Sequence, residues 1–159
     1  GKMGTKKPLH PNDHDNKSQS TNDVFPTAMH IAIAIKSKKK LLPSLKLLEK
    51  ELGKKVNEFN KIVKLGRTHL QDATPIRLGQ EFSGYAKQIE NNILRLKNCK
   101  ILLSELAQGG TAVGTGINAH KNFSKEFIKA LNKDNAIKYS EKSNKFEGNG
   151  GLKPPSEEP

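Results

Sequence analysis

Aromatic residues are scarce in this chain, at 5% of 159 residues, and tryptophan is absent. Hydrophobic residues of every kind reach only 33%, against roughly 45–50% in ordinary globular domains. The length suits one domain of common size. So little apolar material argues against a self-sufficient core. Either the helices pack against other chains, or part of the fold lies elsewhere. Cysteine is nearly absent too: Cys99 stands alone, which excludes an internal disulfide and fits a reducing compartment. No apolar run is long enough to span a membrane. Gly1 to Lys7 is basic but no apolar segment follows it, so no signal peptide is read. Arginine is rare beside lysine, and few aromatics interleave with the basic residues.

What is abundant is positive charge, with 28 Lys and Arg against 16 Asp and Glu for a net +12. Such a balance admits a nucleic-acid surface or the attraction of small anions such as dicarboxylates. The plainer reading, solvated lysines on helix faces, ranks ahead of nucleic acid.

The chain is organised around GRTHLQDATP, Gly66 to Pro75, a polar stretch between two long helical patterns that sets Thr68 beside His69. A second polar run, HPNDHDNKSQSTND, covers His10 to Asp23. Residues 1–23 have no apolar periodicity and read as irregular backbone. A helix follows, capped by Asn22 or Asp23, with Pro26 near its first position, where a missing N–H is harmless. Pro43 restarts a helix, and Leu45, Leu48, Leu52, Val56 and Phe59 form one stripe. Ile62 to Leu65 alternates and can run extended into Gly66. The clearest pattern comes next: Leu78, Phe82, Tyr85, Ile89, Ile93, Leu96, Cys99, Leu102 and Leu106 recur every three or four residues. A helix of that length spans about 40 Å. It buries one face only by lying along other long helices, so the fold class is mainly α, a long-helix bundle. Cys99 falls on the stripe and reads as a small buried residue. A glycine-rich turn, Gly109 to Gly116, precedes a short helix that ends at Leu131. The domain organisation is thus an irregular segment at 1–23, a partial helical-bundle domain at 24–134, and a divergent tail at 135–159 whose Gly/Pro-rich end is disordered.

Four features carry chemistry or its imitation. GTGINA, Gly114 to Ala119, matches the nucleotide fingerprint G-x-G-x-x-A, but it follows a helix rather than a strand and has no βαβ unit around it. It reads as a turn. His10 and His14 are four apart without a Cys partner, and no metal site is read there. Ser18, Ser20, Thr21 and Asn22 are ordinary turn and cap residues taken singly. Placed before a helix N-terminus, they make a carboxylate cradle. A lone histidine is often structural; His69, with a hydroxyl beside it, has the chemistry for proton transfer near neutral pH.

Three stretches, HPNDHDNKSQSTNDVFPTAMHIA, GRTHLQDATPIRLGQEFSGY and ELAQGGTAVGTGIN, closely resemble class II fumarate hydratase of the fumarase/aspartase superfamily. The resemblance runs from about His10 to Glu147, where NKFE still matches. Aspartate ammonia-lyases are similar but typically carry Gln where His69 stands; argininosuccinate lyases share T-H-L-Q without the surrounding words. The resemblance implies the partial central domain of the fumarase/aspartase fold. It implies reversible hydration of fumarate to (S)-malate in the tricarboxylic acid cycle, without a cofactor, in a homotetramer whose active sites draw on several subunits. It places the protein in the cytoplasm, or in mitochondria of a eukaryote, with no membrane or nucleic-acid partner. Carried over by position, Ser20, Thr21 and Asn22 hold a substrate carboxylate, Thr68 contacts substrate, and His69 transfers a proton. His10, Pro11, Asn12 and Asp13 form the family's second dicarboxylate site. The chemistry suits these groups, since proton removal beside a carboxylate builds negative charge that fixed donors must stabilise.

The sequence departs from the family in ways that bear on activity. The serine loop G-S-S-x-M-P-x-K-x-N-P is absent, as is the G-T-Q-T/S-N-type loop. Thr21 stands where a second serine is common, and Asp15 where valine is. The expectation is a fragment from a truncated or frameshifted gene, inactive alone. The alternatives are a non-catalytic helical interaction fragment, an aspartate ammonia-lyase-like member and, on charge alone, a basic nucleic-acid binder.

Overall fold

The computed structural model describes residues 2, 4–10, 14–134 and 136–150. Its contacts divide the chain into two compact units. One joins the residues up to Ile35 with those from Ile101 onward; the other is Lys36–Lys100. Most of the secondary structure is helical.

In the first unit, helix α1 (Thr21–Lys36, whose last residue belongs to the second unit) begins earlier than the residue pattern suggests. The cause is local. Ser20 accepts the Asn22 N–H at its hydroxyl, 3.2 Å away, and its own N–H donates to the Asp23 carboxylate at 2.8 Å. This is a capping box, each partner satisfying a backbone donor of the first turn. Pro26 therefore lies inside the helix, not at its start. The ladder bond to the Asn22 carbonyl cannot form there, a defect that the cap has to offset.

A short parallel pair joins β3 (Glu105–Leu106) to β4 (Ser140–Glu141). Helix α4 (Phe123–Asp134) presents Phe127, Ile128 and Leu131 on one face. The core is small: Ala34, Leu106, Ile128, Ile137 and Tyr139, with Ile31, Ile35, Phe127 and Leu131 packed on it. Residues 136–150, expected as part of a divergent tail, hold β4 and α5 (Lys145–Gly150). Their order comes from amide side chains rather than apolar spacing. Asn132 exchanges two 2.8 Å hydrogen bonds with the Tyr139 backbone. Asn144 caps α5 by accepting from Phe146 and Glu147, and Asn149 donates to the Thr111 carbonyl. Residues 151–159 lie outside the described residues.

The second unit opens on a π-helical turn, Ser37–Leu41, that leads into α2 (Leu42–Glu58), with Pro43 in its first turn. A 3-10 turn, Phe59–Lys61, follows. The polar stretch is an antiparallel hairpin, β1 (Val63–Thr68) and β2 (Gln71–Arg77), with the run expected to extend into Gly66 forming β1. Two features make it one. Gly66 takes up a bulge where a Cβ would stand 2.8 Å from the Thr74 carbonyl. His69 and Leu70 adopt φ of 50° and 62°, the left-handed pair of a two-residue hairpin turn. Pro75 sits in β2 opposite Leu65, tolerated because a two-stranded sheet is all edge.

Helix α3 (Leu78–Leu103) starts against α2, with Gly79 so close that a Cβ would lie 2.5 Å from the Val56 carbonyl. Phe59, Phe82 and Tyr85 stack edge to face at 5.0 and 5.6 Å. Lys64 pairs with Glu81, which also accepts from the Tyr85 hydroxyl. These two donors hold the Glu81 carboxyl below the ordinary range, Lys64 first. The helix ends at Leu103, short of Leu106, which turns into β3. Cys99 is exposed, not buried as its place on the stripe suggests. Further along the stripe Ile93 is buried and Leu96 half-buried, but Leu102 is 65% exposed, and off the stripe Leu94 and Ile101 are 58% and 67% exposed.

Candidate functional site

Each half of the candidate site sits in its own unit. In the first, Ser20, Thr21 and Asn22 occupy the cap and first turn of α1. Thr21 and Asn22 are exposed and Ser20 half-buried. The Ser20 hydroxyl already accepts from Asn22 but keeps its own proton to donate. The Thr21 hydroxyl has no hydrogen-bond partner among the described residues. The Asn22 amide donates one proton to the Ala112 carbonyl at 2.6 Å and retains the other. Two hydroxyls and an amide thus remain as donors facing outward, suited to a carboxylate.

What fixes them is Asp23, which the residue pattern offers only as a cap. Its carboxylate has no solvent exposure. Oδ1 accepts from the Ser20 N–H, and Oδ2 from Gly109 and Thr111 at 3.0 and 2.9 Å. One buried anion, satisfied by three backbone donors, welds the start of α1 to the glycine-rich turn. The signal was the S-x-x-D spacing from Ser20 to Asp23. The long-range partners had no local signal.

That turn joins β3 to α4 inside a short β3–α4–β4 unit with parallel strands, not helix to helix as its context implied. The strand before it has two residues, and α4 begins at Phe123, beyond the G-x-G-x-x-A match. Gly109, Gly114 and Gly116 have φ of 93°, 102° and 72°, which a side chain would oppose.

In the second unit, Thr68 closes β1 opposite Gln71, and His69 opens the hairpin turn. Both are exposed, and the neighbouring Leu70 is 93% exposed. A histidine at positive φ is an uncommon backbone state. It costs on the order of 1–2 kcal/mol, and such strain gathers at functional positions.

His10 and His14 are bonded to each other: the His14 N–H donates to the His10 carbonyl, and the His10 N–H donates to His14 Nδ1 at 2.9 Å. Pro11, Asn12 and Asp13, the rest of the expected second dicarboxylate site, lie outside the described residues. Among the described residues no group of three His, Cys, Asp or Glu is placed to hold a metal ion. None of them forms a helix long and apolar enough to cross a membrane.

A family model described as lyase matches residues 1–149. Among curated proteins the chain is similar to a class II fumarate hydratase of Bradyrhizobium diazoefficiens, 56% identical over 92% of this chain and 31% of that protein. It is also similar to the mitochondrial fumarate hydratase of Saccharomyces cerevisiae, 52% identical over 92% of this chain and 30% of that one. The chain therefore spans about a third of the length of the curated relatives it matches. Among solved structures, a class II fumarase from Schistosoma mansoni matches with a TM-score of 0.80 at 40% identity, over 89% of this chain and 33% of that one. A fumarate lyase:delta crystallin from Brucella melitensis matches with the same score at 39% identity, over 92% and 32%. The chain belongs to the lyase family, and its likeness within that family is to the class II fumarate hydratases.

Proposed function

We propose that this chain carries two substrate-binding segments of a class II fumarate hydratase, the hydro-lyase that interconverts fumarate and (S)-malate. The observation that carries this is the 56% identity to a protein of that name over 92% of the chain, which runs through both segments. Ser20, Thr21 and Asn22 hold one substrate carboxylate with the outward donors left after α1 is capped. Thr68 contacts substrate and His69 transfers the proton. His10, with Pro11, Asn12 and Asp13, makes a second dicarboxylate site. The exposed position of His69 suits a composite active site, closed by groups from other subunits of a homotetramer. No redox cofactor is needed, because the reaction moves a proton and a hydroxide without oxidation.

Such a site needs an acid and a base that act together. The family's serine loop does not occur in these 159 residues, so the isolated chain does not turn over fumarate. The test is a chimera. Residues 14–134 replace the matching segment of a class II fumarate hydratase, and fumarate absorbance is followed. The chimera should be active, and His69→Asn should lower kcat by roughly 10²–10⁴-fold. A folded chimera that hydrates fumarate equally well with His69→Asn would remove His69 from the reaction. A non-catalytic helical interaction role is the second reading, favoured by the exposed Leu94, Ile101 and Leu102 of α3.

A further inference from the structure

One cavity in the first unit carries side chains that the hydratase reading leaves unused. It is a cleft of about 230 Å³ beside the glycine-rich turn, and none of Ser20, Thr21 or Asn22 lines it. We propose that this cleft binds a small oxyanion, a carboxylate or a phosphate group, held by Lys145, Lys121 and His120.

The donor set selects the ligand. Lys145 is already positioned: its ammonium donates to Ser124 Oγ at 3.0 Å, to Glu141 Oε2 at 3.3 Å and, at 3.5 Å, to the Gln108 carbonyl, and its side chain is only 21% exposed. A charge fixed in this way loses little rotamer freedom when a ligand arrives. Lys121 lines the same space and has no ion-pair partner among the described residues. His120 accepts the Asn122 N–H at Nδ1, 3.2 Å away. In the neutral ring that leaves the proton on Nε2, available to donate. With Lys145 paired to Glu141, the cleft keeps a net positive charge, and the Lys121 ammonium and the His120 ring N–H are its uncommitted donors. A cation is disfavoured by that balance. An apolar ligand is disfavoured because the walls offer glycine backbone and polar side chains, with Ala119 the one apolar side chain. The volume is below the roughly 300–1,000 Å³ of pockets for larger ligands.

The Ser124–Lys145 contact invites a catalytic reading, but the geometry opposes it. Ser124 is buried and commits its hydroxyl proton to the Gln108 carbonyl at 2.7 Å. Lys145 is a donor to that oxygen, not a base for it. The pair is a strut that places charge.

The test uses the 159-residue chain labelled with nitrogen-15. Inorganic phosphate, succinate and, at matched ionic strength, sodium chloride are titrated while amide shifts are read. Saturable shifts centred on Thr115, Gly116, His120 and Lys121 are expected with phosphate, succinate or both, and the two arms show which oxyanion the cleft prefers. Lys121→Gln and Lys145→Gln should each weaken binding roughly tenfold or more. Lys46→Gln, outside the cleft, should leave it unchanged. Lys121 is exposed, so its variant stays informative even if Lys145→Gln unfolds the strut. Shifts reproduced by chloride, spread over lysines generally, or indifferent to Lys121→Gln would overturn the proposal.

Discussion

A carboxylate shut away from water needs its charge met, and Asp23 meets it with backbone alone. Three N–H groups converge on it from two distant parts of the chain. Tyr139 is the opposite case. Its ring is 4% exposed and fills the core, yet its hydroxyl has no partner among the described residues. Burial pushes its phenol above the ordinary value. The folded protein therefore holds that proton more tightly than the unfolded chain. Stability from this group is intact below about pH 10 and falls as pH rises beyond it. Tyr139→Phe keeps the ring and removes the orphaned hydroxyl. At pH 7 it should raise stability by about 1 kcal/mol, read from urea midpoints. At alkaline pH the variant should lose less stability than the parent. Tyr85, exposed and bonded to Glu81, contributes equally to both proteins. A variant less stable than the parent at pH 7 would mean that the hydroxyl is satisfied after all.

At the scale of elements, the close approach of α2 and α3 rests on one missing side chain. Gly79→Ala would force a Cβ into the Val56 carbonyl and the Asn60 backbone. A cost of at least about 2 kcal/mol is expected, with loss of the Phe59–Phe82 contact. Gly84, one turn and a half further along α3, has open space around it. Gly84→Ala should instead stabilise by about 0.5–1 kcal/mol, the ordinary helix-interior difference. Thermal melts of the two variants should move in opposite directions; a shared sign would refute this placement of Gly79. The helices were legible because apolar residues every three or four positions report an apolar helix face directly. Of the hairpin only the first strand was, in the alternation of Ile62 to Leu65; its turn uses His69 and Leu70 where Asn-Gly would be the usual signal. β4 and α5 escaped notice because Asn132, Asn144 and Asn149 order them through backbone contacts that leave no periodic trace. Cys99 misled for a related reason: periodicity shows which face is apolar, not whether anything covers it. In the candidate site, the donor types of Ser20, Thr21 and Asn22 could be read in advance. The buried anchor behind them, Asp23, depended on partners 86 and 88 residues away.

Across the whole molecule two large terms oppose each other. Among the described residues seven hydrophobic side chains are buried while seventeen large ones are exposed, the reverse of a self-sufficient domain. Each large side chain removed from water contributes about 1.5–3 kcal/mol. Against this stands a net charge of +12, which keeps copies apart. The repulsion acts over a screening length of about 8 Å at physiological salt and about 3 Å at 1 M; apolar attraction is not screened. Association should therefore win as salt rises. Sedimentation velocity on the purified chain should show concentration-dependent self-association that strengthens from low to high salt. An apolar dye should bind in parallel. Placing Lys at Leu47, Leu94 and Ile101, which are 60%, 58% and 67% exposed, removes no buried contact. Those changes should return the protein to a monomer and abolish most dye binding. A chain that stays monomeric and dye-silent in 1 M salt would show that these faces are covered in solution by contacts within the chain itself.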